Sequence, residues 1–399
     1  MAATKAERDA EPAPAVAVAA QRFALLSGGE MLTGTGQRHS LPPVAASALA
    51  SAVTSFFATQ PDGPSLLVGA LPYERAQPCH LFQPEGVVRG PWPVPPAAPL
   101  VAARGQLRAE PSAQLYRATV ERALAAIAAE RGAEHGLRKL VLARTLLLRT
   151  DAPIDVGALL RRLAADQTVT AFAMPLPARP GAARRALVGA TPELLVGKAG
   201  DRVTSRPLAG SARRLADPAE DQAAAAALLR SAKDRREHAA VVEAVLDELA
   251  PFCRELGAPQ GTVLASTATM WHLGTRIEGR LKDAATPSVA LAAALHPTPA
   301  VCGVPRERAA RAIAELEPQA RDFYAGAVGW CDGRGDGRWH VAIRCAEIAG
   351  NEARLYAGAG IVEGSDPVGE TEETAAKFAA LLGALGIDER GLAVPESAA

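Results

Sequence analysis

The stretch RWHVAIRCAEIAGNEARLYAGAGIV, residues 338–362, holds two apolar segments separated by Gly350-Asn351. A tight turn between two β-prone runs reads as a hairpin, so the segments are expected to be antiparallel neighbours. Parallel neighbours need a crossover of a dozen or more residues, for which there is no room here. Outward from this hairpin the same grammar recurs. KLVLARTLLLR (139–149), TVTAFAMP (168–175) and ALVGATPELLVG (186–197) read as strands. Helical spacing predicts helices from about Ser112, over about 218–250, over 287–295 and 305–316, and over the acidic stretch GSDPVGETEETAAKF at 364–378. Strands cluster and helices are inserted between the groups. That is α+β with largely antiparallel sheet, not regular βαβ alternation. There is no internal repeat and no persuasive linker between 100 and 390. One domain over 21–390 is expected, with a disordered tail at 1–20, a loose tail at 391–399, and a proline-rich surface crossing at 91–99.

The totals narrow the possible partners. Of 399 residues, 49% are hydrophobic and 22% charged, which suits a soluble globular chain with ample core. Lys+Arg 43 balance Asp+Glu 43, so a nucleic acid or an acidic membrane is not expected as the main partner. Cys79, Cys253, Cys302, Cys331 and Cys345 contain no CxxC pair; a reducing cytoplasm fits better than a disulfide framework. No apolar run reaches the roughly 18 residues of a membrane span, and the start lacks a signal peptide's order.

Several residues have both a plain and a chemical reading. In RWHVAIRCAEI, period-two alternation puts Arg344 between Ala342 and Ala346, opposite Trp339, Val341, Ile343 and Cys345. A guanidinium with small neighbours suits a carboxylate or phosphate, or it simply reaches solvent. Lys139 opens an apolar strand, either as a gatekeeping charge or as a base. The latter needs its pKa lowered from about 10.4 towards 7–8. Glu193 follows Pro192 inside a strand-like segment; both are poor strand residues, which marks a site or a bulge. Glu237 has Lys233 four residues before it, the spacing of an ordinary helix salt bridge. In the acidic stretch, Asp366 before Pro367 is a natural cap, and Glu373–Lys377 is a favourable i,i+4 pair.

Other motifs are weak. Gly358, Gly360 and Gly364 approach a dinucleotide fingerprint, but no second parallel strand follows to complete it. The seven histidines show no zinc spacing; His272 and His296 read as hydrogen-bonded structural or orienting groups. No GxSxG elbow is present.

In order along the chain, ATPELLVG, RPLAGSARR, SAKDRREH, WHLGT, LHPTPAVCGVP, YAGAVGW, RWHVAIRCA and AGAGIVEGSDPVGETEETAAK resemble the chorismate-utilising enzymes, over roughly 100–386. Within that family the resemblance is to isochorismate synthases of the siderophore type. It implies a single large α+β domain: a twisted, largely antiparallel β-sandwich flanked by helices around a Mg²⁺-dependent site. It further implies that Lys139 is the base activating water for attack at ring carbon 2, and that Glu193 is the acid protonating the leaving hydroxyl at carbon 4. Glu237 and Glu373 would hold Mg²⁺. Arg344, Tyr324 and the backbone at Gly358 and Gly360 would cradle the enolpyruvyl carboxylate. His272 would lie near the ring carboxylate, Gly210 near Glu193, and Lys377 at the carboxylate end. Asp366 and Glu370 are left to serve the helix.

Lysine at 139 separates water-adding members from relatives such as anthranilate synthase, which add ammonia. Ala300, where salicylate-forming relatives carry threonine, and Val301 imply that pyruvate elimination is not favoured. The substrate implied is chorismate, in a cytoplasmic monomer needing no glutaminase subunit, for siderophore or menaquinone synthesis. A salicylate synthase or aminating relative, and a non-catalytic chorismate-binding homologue, are the alternatives.

Overall fold

The computed structural model describes residues 22–60, 62–92, 105–179, 181 and 183–388. The two expected tails and most of the 91–99 crossing lie outside these residues. Two large sheets dominate, and every strand pairing among the described residues is antiparallel. The ten-stranded sheet is built around the strand Lys139–Thr150, which pairs along its length with Glu352–Val362, whose other neighbour is Cys345–Ala349. The nine-stranded sheet contains Leu194–Ala199, Gly337–Val341 and Ala327–Asp332. Leu208–Arg213, Met270–Thr275 and Thr262–Ser266 form a small third sheet.

One large apolar core holds Phe23, Phe82, Phe172 and Trp339, and a second lies under the helices Val156–Leu163 and Pro367–Leu385. The terminal helix illustrates why these residues fold as they do. Phe378, Leu381, Leu382 and Leu385 recur at helical spacing and are buried, each contributing roughly 1.5–3 kcal/mol. Asp366 caps the start by accepting from Gly369 N at 2.8 Å, and Gly386 ends it in the left-handed conformation. Among the described residues no helix is long and apolar enough to cross a membrane.

The expected hairpin is present, Ala346↔Leu355 to Ala349↔Glu352, but RWHVAIRCAEI is not one strand. Gly337–Val341 belongs to the nine-stranded sheet and Cys345–Ala349 to the ten-stranded one. Between them Arg344 has φ 52°, outside any strand, so simple alternation does not set its direction. ALVGATPELLVG divides likewise: Arg185–Thr191 and Leu194–Ala199 lie in different sheets, with Pro192-Glu193 at the break. The two breaks are neighbours. Ala190 N donates to Arg344 O at 3.1 Å, and Val341 N to Glu193 O at 3.2 Å. A pair of strands thus passes from one sheet to the other, with an arginine and a glutamate at the bend.

The helix expected over 218–250 is two, Pro218–Arg230 and Ala232–Leu249. Ser231, with ψ 114°, closes the first and caps the second, its hydroxyl accepting from Asp234 N at 3.2 Å. On the second helix Val241, rather than Val242, joins Val245 and Leu249 in the buried stripe.

Candidate active site

A single cavity opens where the bend, the helix Ala232–Leu249 and the terminal helix converge. Glu193 and Arg344 enter it from the bend, Glu237 and Glu373 from the two helices. Gly358 and Gly360 come from Glu352–Val362, Gly210 and His272 from the small sheet, and Ala300, Val301 and Tyr324 from loops. Lys377 lines it as well. Lys139 does not. Its ammonium stands behind Glu237, with Nζ 2.8 Å from Glu237 Oε1. The contact is an ion pair whose angles are not those of a hydrogen bond.

Glu193 is 2% exposed. Burial pushes its carboxyl up to about 8, against the pull of the Leu208 N–H, Lys139 and Arg344. A carboxyl so placed is mostly protonated at neutral pH and can donate. Burial also brings Arg344 down to about 10, with Glu373, Tyr324 and Glu193 pulling the other way. It therefore remains a cation, held in a left-handed backbone conformation that costs of order 1–3 kcal/mol and aims the side chain into the cavity. Burial, then Arg344 and Lys377, hold His272 well below the usual imidazole range. Its Nε2 is buried without a partner, leaving one polar atom for a ligand.

The glycines give room. A Cβ at Gly360 would lie 2.5 Å from Glu237 Oε1 and 3.3 Å from Lys139 Cε, so any larger residue would drive that pair apart. At Gly358 a Cβ would sit 3.0 Å from the Tyr324 hydroxyl, whose ring stacks on Tyr356 at 4.7 Å. Gly210, at φ 76°, brings its strand close to Asp234.

Charges near the helices are arranged differently from the expectation. Lys233 pairs with Glu370 at 3.0 Å instead of Glu237. Glu370, expected to serve the helix, is 3% exposed and faces that lysine. Burial and then Glu373 raise its carboxyl pKa. Lys377 donates to Glu373 at 2.5 Å and to Gly358 O at 2.8 Å, and Ser211 Oγ donates to Glu373 at 3.1 Å. Asp234, which the sequence reasoning passed over, also lines the cavity. It lies three residues before Glu237, hence on the same helix face, and that spacing was its available signal. Burial, and then Glu237 against the pull of the Ser231 bond, raise its carboxyl pKa.

Among the described residues no three potential ligands are already assembled as a metal centre. The donors present are nonetheless carboxylate oxygens from two helices, Asp234 and Glu237 on one and Glu373 on the other, all lining the same cavity. Mg²⁺ takes one or two carboxylates and fills its octahedron with water and substrate oxygens, so this donor set fits that ion.

Two large antiparallel sheets and their helices thus enclose one cavity that holds a buried carboxyl, an arginine and carboxylates from two helices. The chain belongs to the family described as chorismate binding enzyme, whose model matches residues 96–386. It is 48% identical over 329 residues to a putative isochorismate synthase MenF of Mycobacterium tuberculosis, covering 81% of this chain and 87% of that protein. The crystal structure of a putative 2,3-dihydroxybenzoate-specific isochorismate synthase, DhbC, from Bacillus anthracis superposes with TM-score 0.87 at 37% identity, covering 93% of this chain and 98% of that one. The menaquinone-specific isochorismate synthase MenF of Escherichia coli gives TM-score 0.77 at 25% identity, covering 92% and 88%.

Proposed function

We propose that the chain is an isochorismate synthase that interconverts chorismate and isochorismate with Mg²⁺ bound. The observation that carries the reading is Glu193, a buried carboxyl with its pKa near 8, in the same cavity as an arginine clamp. Lys139 takes a proton from water as the oxygen bonds to ring carbon 2. Each ring double bond moves one position, and the carbon 4 hydroxyl leaves with the proton of Glu193 as water. Base and acid then stand at opposite ends of one allylic system, with no covalent intermediate. Arg344 accepts a substrate carboxylate as a two-pronged donor, beside the His272 ring and the Gly358–Gly360 backbone.

Glu237 and Glu373 would hold the metal, which when bound offsets the negative charge of the substrate carboxylate and orients it. Glu237 covers Lys139 in the structure, so base function requires Glu237 to release that ammonium, as ligation to a cation demands, and the ammonium to give up its proton to solvent before the free amine takes one from the attacking water. Ala300 and Val301 offer no polar group to the enolpyruvyl side, which favours isochorismate over pyruvate elimination. Names among the similar proteins carry both 2,3-dihydroxybenzoate and menaquinone specificity, and we assign this chain to one of those two supplies.

Incubation with chorismate and Mg²⁺, followed by separation of products, tests the reading. Isochorismate is expected, and EDTA should abolish its formation; pyruvate with salicylate, or no turnover, would reject it. Glu373→Gln is expected to weaken Mg²⁺ binding by about tenfold or more in calorimetry without substrate, since one of only two metal carboxylates loses its charge. Unchanged affinity would remove Glu373 from the metal site. Arg344→Lys should raise KM by about tenfold with a smaller effect on kcat, because a point charge cannot replace a fork. An unchanged KM would reject the clamp.

A further inference from the structure

The strand that carries Lys139 has a gap along one edge. On that side Gly303–Val304 pairs with Lys139 and Leu140, and Gly105–Glu110 pairs with Thr145 to Thr150. Among the described residues no strand covers 141–144 there. Backbone groups left bare at a buried edge are costly unless something bonds to them. Val141 N donates to Cys302 O at 2.7 Å, and side chains take two other groups. Arg321 donates to Val141 O at 2.6 Å, and Glu317 Oε1 accepts from Ala143 N at 2.7 Å.

Glu317, at the end of the helix Arg306–Leu316, and Arg321, four residues on, pair with each other, and both side chains are almost wholly buried. Arg321 also donates to Val301 O at 2.7 Å, and its guanidinium lies 4.4 Å from the Tyr73 ring centroid. Through its own carbonyl it accepts from Tyr324 N at 2.9 Å. One residue thereby joins the strand of the base and the turn bearing Ala300 and Val301 through its side chain, and the start of the loop that carries Tyr324 through its backbone.

We propose that Glu317 and Arg321 are a positioning pair for the cavity: they replace the missing strand beside 141–144 and fix the Lys139 strand against the Ala300–Val301 turn. Neither touches the substrate. A planar guanidinium reaches two carbonyls and a carboxylate at once, whereas a lysine at 321 would hold the ion pair but not both carbonyls. The proposal rests on the assignment of Lys139 as the base, because it is the distance from that base to the opposite wall that the pair holds.

The test compares parent, Arg321→Lys and Glu317→Gln in steady-state turnover of chorismate, below the melting temperature of each, alongside amide hydrogen exchange. Arg321→Lys is expected to lower kcat by about tenfold to a hundredfold, since displacement of about 1 Å at a reacting centre has such effects. KM should change little, because Arg344 and His272 stay in place. Exchange should quicken at 139–145 and 298–304 and not across the molecule. A pair that only stabilises the fold would lower the melting temperature and leave kcat per folded molecule unchanged, which overturns the proposal; so does uniformly faster exchange. If Arg321→Lys does not fold, Glu317→Gln keeps one acceptor oxygen for Ala143 N and one Arg321 N–H, loses the charge and the acceptor for Arg321 Nε, and should show the same pattern more weakly. Parent-like kcat and exchange in that variant also overturn the proposal. Should the parent form no isochorismate, the functional reading fails, while the local exchange pattern still decides the pair.

Discussion

Glu193→Gln is expected to lower kcat by about 10² to 10⁴, the range a positioned general acid supplies, with little change in chorismate affinity. Glutamine fills the same space but has no proton to give the departing hydroxyl. The parent's kcat/KM should fall on the alkaline side with an apparent pKa near 8, as the buried acid ionises. Stability supplies an independent readout. The Glu193 pKa stands at about 8 in the folded protein against an ordinary value of 4.5. Between those values the unfolded chain has lost the proton that the native protein keeps, so the parent loses stability as pH rises through that window. The glutamine variant has no charge to bury and should melt higher than the parent at pH 9, with the advantage shrinking towards pH 4.5. Equal melting at pH 9 would show that this carboxyl is not the buried proton carrier.

Lys139→Ala is expected to be as damaging to turnover, again by about 10² to 10⁴ in kcat, while chorismate still binds. The reason is geometric: Lys139 lies behind Glu237 and outside the cavity lining, so its loss removes no wall that the substrate touches. Calorimetric titration with chorismate alongside stopped assays would separate the two effects. Turnover near the parent's would mean that another group activates the water. Loss of binding together with turnover would mean that Lys139 holds the substrate instead.

Local chemistry made parts of this site legible in the sequence, and long-range geometry hid the rest. Glu193 stood out because proline and glutamate conflict with strand formation, and the structure resolves the conflict by ending one strand and starting another in a different sheet. Arg344 was singled out by alternation along a continuous strand; the residue does enter the cavity, but through a left-handed bend that alternation cannot describe. The Gly350-Asn351 turn was readable because hairpin register depends on neighbours in the chain. The pairing of Lys233 with Glu370 was not, since the two lie 137 residues apart and i,i+4 spacing pointed to Glu237. Nothing in the sequence marked the Glu317–Arg321 pair, because nothing local shows that a distant strand has a bare edge. The split at Ser231 carried a local signal, a serine three residues before an aspartate, which high helix propensity on both sides obscured.

The account depends on one event, in which solvent oxygen enters at carbon 2 while the carbon 4 oxygen departs. Turnover of unlabelled chorismate in ¹⁸O-water, stopped early and read by mass spectrometry of the isochorismate, measures that event directly. One solvent-derived oxygen, in the carbon 2 hydroxyl, is the predicted result. Isochorismate without the label would mean that the hydroxyl migrates within the ring, and would contradict a base and an acid working at opposite ends of the substrate.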